Sequence, residues 1–125
     1  MPRIEVVFYR DEDGTVPVLD WLDEVRRRDK RAFAKCYVRI QLLQSEGHEL
    51  RRPHCDYLRD GIYELRIRFG TVNYRILYFF SGQIAAILAH GLGKEGKVSD
   101  RDIELAIARK ERFEKDPGRH SYEEE

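Results

Sequence analysis

Residues 62–94 constrain the fold of this chain more than any other stretch, because they have the pattern of antiparallel strands joined by tight turns. Ile62–Phe69 and Val72–Phe80 are rich in β-branched and aromatic residues, and they lie on either side of Gly70-Thr71. A glycine is expected in a two-residue hairpin turn, since such turns need a positive φ. The pattern therefore predicts a β-hairpin that is continued by a third strand.

The first turn also predicts which residues face each other across the hairpin. If Gly70-Thr71 forms the whole loop, Arg66 lies directly opposite Arg75, and Arg68 lies opposite Asn73. The second turn, Ser81-Gly82, predicts a hairpin onto a third strand at residues 83–90. The pairs expected there are Asn73 with His90 and Arg75 with Leu88.

Side chains alternate between the two faces of a strand, so this register sorts the residues into a polar face and a core face. The polar face holds Glu64, Arg66, Arg68, Asn73, Arg75 and His90, and the core face holds Tyr63, Leu65, Ile67, Tyr74, Ile76 and Tyr78. The opposed Arg66 and Arg75 repel each other. An offsetting negative charge is therefore expected from Glu64, from another carboxylate such as Glu104, or from a phosphate that both arginines bind.

The remaining segments predict an α+β domain with the order β-α-α-β-β-β-α. Its further elements are a strand at Arg3–Tyr9, helices at Val16–Val25 and Lys30–Ser45, a possible short strand near His54–Leu58, and a helix from Asp100 to about Lys115. The helix pair is expected on one face of a small antiparallel sheet. The last helix is expected over the apolar end of the arginine face, made by Leu77, Phe79, Ile84, Ala86 and Leu88.

The length fits a single domain at residues 1–116, followed by an acidic tail at 117–125 that is expected to fray. Formal net charge is zero, but residues 26–39 hold seven Lys and Arg against one Asp. Residues 62–98 hold five Lys and Arg against two Glu. These segments could face a polyanion, although a solvated helix face explains residues 26–39 equally well.

Cys36 and Cys55 are too few and too far apart for a disulfide framework or a zinc site, and no cofactor is expected. The longest apolar run has only the length of a strand, and the N-terminus does not resemble a signal peptide. A cytoplasmic protein without a membrane span is therefore expected.

Three short segments, in this order and spacing, resemble the phage-derived HigB-type toxins of the RelE/ParE superfamily. They are YELR at 63–66, YRILYFF at 74–80, and ILAHGLGK at 87–94 before a capped helix. The resemblance covers nearly the whole chain. It implies a toxin of a type II toxin–antitoxin system that cleaves mRNA on the ribosome and inhibits translation, held inactive by a helix-turn-helix antitoxin.

The resemblance also implies roles for individual residues. Arg66 and Arg75 match the strand arginines of these toxins, and Lys94 matches the lysine after the last strand. The chain departs from the pattern at Glu95, where a second lysine is usual, and at Gly93, where a larger residue is common.

Metal-independent RNA cleavage needs cations around the phosphate and groups that move protons. Arg66 and Arg75 are the catalytic candidates for holding the phosphate, His90 for proton transfer, and Lys94 for phosphate contact or leaving-group expulsion. Arg68, Asn73 and Lys97 are candidates for RNA binding. No carboxylate-histidine pattern predicts a metal site.

A second interpretation remains open on the sequence alone. The same basic face could bind nucleic acid or a protein without cleavage, as in a gyrase-inhibiting toxin of the superfamily or a decayed toxin. The zero net charge and Glu95 favour this alternative more than a typical toxin sequence would.

Overall fold

The computed structural model describes residues 3–93 and 97–123 and has the α+β architecture that the sequence predicts. Its elements are β1 (Glu5–Tyr9), α1 (Pro17–Arg28), α2 (Lys30–Glu46), β2 (Cys55–Arg59), β3 (Ile62–Phe69), β4 (Val72–Ser81), β5 (Ala85–Gly93), α3 (Asp100–Lys115) and β6 (Ser121–Tyr122), with a 3₁₀ turn at Gly47–Glu49. The predicted short strand near His54–Leu58 is therefore present as β2.

The strands form one mixed sheet in the order β2-β3-β4-β5-β1-β6. The expected all-antiparallel arrangement holds from β2 to β5, but β1 pairs in parallel with β5. The N-terminal strand therefore lies inside the sheet, with β6 on its other side.

Each face of the sheet packs against helices and forms its own apolar core. On one face, α1 and α2 cover a cluster that includes Leu65, Ile67, Ile76 and Tyr78. On the other face, α3 covers Leu77, Phe79, Ala85, Ile87, Ala89 and Leu92. The helix placement confirms the prediction, and on the second face the Arg66 side chain remains 39% exposed.

Local signals in the sequence set the ends of the helices. Asp29 begins α2 by accepting hydrogen bonds from the backbone N–H groups of Arg31 and Ala32, at 2.9 and 3.3 Å. The Ser99 hydroxyl accepts a hydrogen bond from the Asp102 N–H at 3.2 Å, so the predicted cap of α3 is confirmed.

The register of the first hairpin is the predicted one. Phe69 pairs with Val72, Arg68 with Asn73, and Arg66 with Arg75. Gly70 has φ 62°, the left-handed conformation that favours glycine at this turn.

The predicted register of the second hairpin is wrong. Arg75 faces Leu92 instead of Leu88, and His90 faces Leu77 instead of Asn73. The loop after Ser81 is longer than two residues, because Ser81 pairs with Ala85, and a bulge adds one residue of β5 opposite Leu77 and Tyr78. Together, the longer loop and the bulge shift the pairing of β5 with β4. His90 nevertheless lies on the face of the sheet that the sequence predicts.

The new register also changes which β5 residues lie beneath α3. Ile84, expected under the last helix, is 69% exposed at the turn. Ala86 and Leu88, expected on the same face, instead belong to the core beneath α1 and α2. Ala85, Ile87 and Ala89 take their places beside α3.

The expected fraying of the tail does not describe residues 117–122. Ser121 pairs with Tyr9, and Tyr122 pairs with Phe8, so β6 extends the sheet. His120 is buried, its Nδ1 lies 2.7 Å from the backbone oxygen of Arg10, and its ring stacks on Tyr9. The chain therefore closes against its own first strand.

None of the helices within residues 3–93 and 97–123 has the length and apolarity that a membrane span requires.

Candidate nucleic-acid interface

The opposed arginines of β3 and β4 share one buried carboxylate. Glu64 is 4% exposed, and its Oε2 accepts hydrogen bonds from Arg66 Nε at 3.1 Å and Nη2 at 2.9 Å. Its Oε1 lies 3.0 Å from Arg75 Nε. Of the two carboxylates named from the sequence, Glu64 lies between the arginines, whereas Glu104 is near Arg59, at 3.9 Å.

A second carboxylate reaches Arg66 from β2. Asp56 Oδ2 lies 3.3 Å from Arg66 Nη2 and accepts a hydrogen bond from Arg52 Nη2 at 2.9 Å. The hydrogen bond from Arg52 holds the pKa of Asp56 below its usual value, so this carboxylate stays ionised at neutral pH. Arg66 thus has two anionic partners, yet its side chain remains 39% exposed, while that of Arg75 is only 13% exposed.

The same two arginines line a cleft of about 330 Å³ at one end of the sheet. β2 is shorter than β3, so β3 continues beyond Leu65, the last of its residues that pairs with β2. The cleft is lined by Lys35, Arg39, Pro53, His54, Arg66, Ile67, Arg68, Asn73, Tyr74 and Arg75. Five of these residues are cationic, and none of the described residues that line the cleft is a carboxylate.

Four of the residues predicted from the sequence therefore meet in this cleft, namely Arg66, Arg68, Asn73 and Arg75. Helix α2 supplies Arg39, whose Nη1 donates a 2.7 Å hydrogen bond to the backbone oxygen of Arg66. The carbonyl group of Arg66 lies one residue beyond Leu65, the last residue of β3 that pairs with β2. The hydrogen bond places a third guanidinium beside the strand arginines.

Lys35, Arg39 and His54 also line the cleft, although none of them is a candidate site residue on the sequence pattern. The +4 spacing of Lys35 and Arg39 was a usable signal, because it puts both cations on one face of α2. His54 lies in the link before β2, and its backbone oxygen accepts a 2.7 Å hydrogen bond from the Arg66 N–H. Its Nδ1 is buried and has no hydrogen-bond partner among the described residues.

His90 is placed on the same face of the sheet as Arg75, but it does not line the cleft. Its Nε2 lies 3.0 Å from Asp102 Oδ1 at the start of α3. Burial lowers the pKa of His90, although the nearby Asp102 carboxylate opposes that shift. The imidazole is therefore held between β5 and α3.

The remaining predicted residues lie after β5. Lys94 and the departure at Glu95 fall outside the described residues. Lys97 is exposed in the segment that leads into α3, and it does not line the cleft. Within residues 3–93 and 97–123, no three His, Cys, Asp or Glu side chains are grouped in a way that could hold a metal ion.

Comparison with known proteins gives the family of the chain. Residues 20–111, well over half of its length, match the family model described as "Phage derived protein Gp49-like (DUF891)". A search of curated proteins found no match. The matched region runs from α1 into α3 and contains every residue of the cleft. The chain therefore belongs to the phage-derived Gp49-like family, within the HigB/RelE-like toxin group.

Proposed function

We propose that this chain is the HigB-like toxin of a type II toxin–antitoxin system, and that it cleaves mRNA on the ribosome and so inhibits translation. The family supports the toxin assignment. The observation that carries the RNA assignment is the cleft, where Lys35, Arg39, Arg66, Arg68 and Arg75 surround a hollow without a lining carboxylate among the described residues. Guanidinium and ammonium groups gathered in this way suit a phosphodiester backbone.

Cleavage without a metal follows from the chemistry of RNA itself. A base takes the proton of a ribose 2′-hydroxyl, the 2′-oxygen forms a bond to phosphorus, and the bond from phosphorus to the 5′-oxygen breaks. The products are a 2′,3′-cyclic phosphate and a 5′-hydroxyl, which receives its proton from an acid. In this proposal Arg66 and Arg75 hold the phosphate and stabilise the charge that develops on it.

Two histidines are candidates for the proton transfer. His54 lines the cleft and has a buried Nδ1 without a partner among the described residues. His90, the candidate chosen from the sequence, lies beside Asp102 instead. We therefore propose His54 as the first candidate for proton transfer. The roles predicted for His90, Lys94 and Lys97 stay predictions. The proposed partners are the ribosome with its mRNA and a helix-turn-helix antitoxin, and the proposed location is the cytoplasm.

One observation favours a second function without catalysis. Arg66 already forms ion pairs with Glu64 and Asp56, and Arg75 Nε lies 3.0 Å from Glu64 Oε1. A phosphate must compete with these carboxylates, as at a site that binds without cleaving. The second candidate is therefore a non-catalytic binder of nucleic acid or protein, including a gyrase-inhibiting or decayed toxin.

Expression of the chain in growing bacteria, with primer extension on translated mRNA, tests the first function against the second. We expect growth arrest with new mRNA ends for the wild type, and loss of both for Arg75→Ala and His54→Gln. Arg59→Ala is the matched control, because Arg59 pairs with Asp60 and Asp100 away from the cleft.

Each other outcome of this experiment has a defined meaning. Arrest with intact mRNA and blocked supercoiling would support the gyrase-inhibiting alternative. Absence of arrest would support a decayed toxin or a simple binding module. Loss of mRNA ends in His90→Gln but not in His54→Gln would return the proton-transfer role to His90.

A further inference from the structure

A row of cations on α2 leads into the cleft. Arg31, Lys35 and Arg39 are four residues apart, so they share one face of the helix with a rise of about 6 Å per step. Lys35 and Arg39 line the cleft, and Arg31 continues the row beyond it. We call these three residues the α2 row.

The α2 row keeps its charge uncompensated. Within the described part of the chain, none of its three residues forms an ion pair with a carboxylate. Some basic residues on the other helices do have such partners: Arg27 lies 2.7 Å from Asp23, and Lys110 lies 3.0 Å from Glu114. An ordinary solvated helix face would carry counter-charges of this kind.

An aromatic ring takes the place of the missing carboxylates. The half-buried ring of Phe69, at the end of β3, lies 5.5 Å from the Arg31 guanidinium and 6.0 Å from the Lys35 ammonium. A cation–π contact attracts a cationic head group without cancelling its charge. Arg39 is likewise held by a neutral group, the backbone oxygen of Arg66. The fold therefore orients these three cations and leaves them available to an anion.

We propose that the α2 row binds successive phosphates of a single-stranded RNA whose next phosphate occupies the cleft. This inference rests on the proposed function, because the cleft defines where the strand enters. Cations in a line, with an aromatic side chain between them, form the kind of surface that follows a nucleic-acid backbone without reading its sequence. An acidic protein segment is the competing occupant, and the test below separates the two.

The test measures binding of fluorescent 2′-O-methyl RNA, which cannot be cleaved, as a dinucleotide and as an octanucleotide over a range of salt concentrations. For the octanucleotide we expect Arg31→Gln to weaken binding and to reduce the slope of log K against log salt by about 0.7, the value for one phosphate contact of a single strand. Dinucleotide binding should not change, because Arg31 lies outside the cleft. The double variant with Lys35→Gln should reduce the octanucleotide slope further.

Two further variants make the outcome decisive. Arg27→Gln, on α1 and paired with Asp23, should bind both RNAs like the wild type. Arg66→Ala should lose affinity for both, because it removes a cation of the cleft. If Arg31→Gln binds the octanucleotide like the wild type while Arg66→Ala does not, the RNA-binding role proposed for the α2 row is wrong and the proposed function stands.

Three other results would contradict the role proposed for the α2 row. If no variant changes RNA binding, including Arg66→Ala, both the role proposed for the α2 row and the proposed RNA function are wrong. If Arg31→Gln weakens the dinucleotide and the octanucleotide equally, the row is not a path along a strand. If an acidic peptide binds through Arg31 and Lys35 while the octanucleotide does not bind, the row is a protein-binding surface.

Discussion

Glu64 is the residue on which the electrostatics of the cleft depend. A buried carboxylate between two opposed arginines offsets their repulsion, and it also competes with any anion that approaches them. The arginine pair could be predicted because a two-residue turn around Gly70 leaves only one register. The burial of Glu64 could not, since alternation shows which face a residue occupies but not how deeply it is covered.

Glu64→Gln should therefore destabilise the protein while it improves anion binding. Removing one charge of a buried ion-pair network leaves the other charges uncompensated, and we expect a loss of about 3 kcal/mol in the free energy of unfolding, measured by urea denaturation. Added phosphate should restore part of that loss in the variant, because a ligand that binds only the folded state stabilises it.

The control for this prediction is Glu104→Gln. Glu104 is 72% exposed and only loosely paired with Arg59, so its substitution should change stability little, and phosphate should have no added effect. If Glu64→Gln proves as stable as the wild type, the carboxylate does not offset the arginine pair in the way described above.

At the scale of elements, the two hairpins differ in how much their sequences reveal. The first strand pair alternates cleanly and has one obvious turn. The fifth strand begins with an apolar run, AAILA, that can face either core, so its pattern specifies neither a longer loop nor a bulge. The longer turn and the bulge at Ala89 set which residues of β5 pack into each of the two cores. His90 therefore kept its predicted face and lost its predicted partner.

Packing between α1 and β5 gives a prediction for a single glycine. The Trp21 ring lies where a Cβ atom at Gly91 would be, and it contacts Tyr74 edge-on. Gly91→Ala should therefore force the indole to move, and we expect a cost of about 1–3 kcal/mol, measured by thermal or chemical denaturation.

Gly118→Ala is the matched control for this substitution. Nothing lies within 4 Å of a Cβ built at Gly118, so no loss of stability is expected there. Equal destabilisation by both substitutions would show that the Trp21 contact is not the cause.

At the scale of the whole molecule, the first and last strands along the described residues pair with each other. β1 lies between β5 and β6, and His120 packs beneath Arg10 and against Tyr9. This closure could not be predicted from the tail, because a two-residue strand has no periodicity and acidic composition is typical of frayed termini. It depends instead on the buried His120 and on the pairing of β6 with β1.

A chain that ends after Asp116 should consequently be less stable. It loses β6 and the stacked His120 ring, and one edge of β1 becomes exposed. We expect the free energy of unfolding to fall by about 1–3 kcal/mol, with a lower midpoint of thermal unfolding. His120→Ala should reproduce much of this effect, whereas Glu123→Ala, at an exposed position, should not. An unchanged midpoint in the shortened chain would mean that the tail only rests on a fold that is complete without it.

The position of β1 determines when the sheet can be completed during synthesis. During synthesis the first strand emerges long before β5, its parallel neighbour, and before β6, which covers its other edge. The sheet can therefore close only after Ser121 and Tyr122 have emerged, more than a hundred residues after β1.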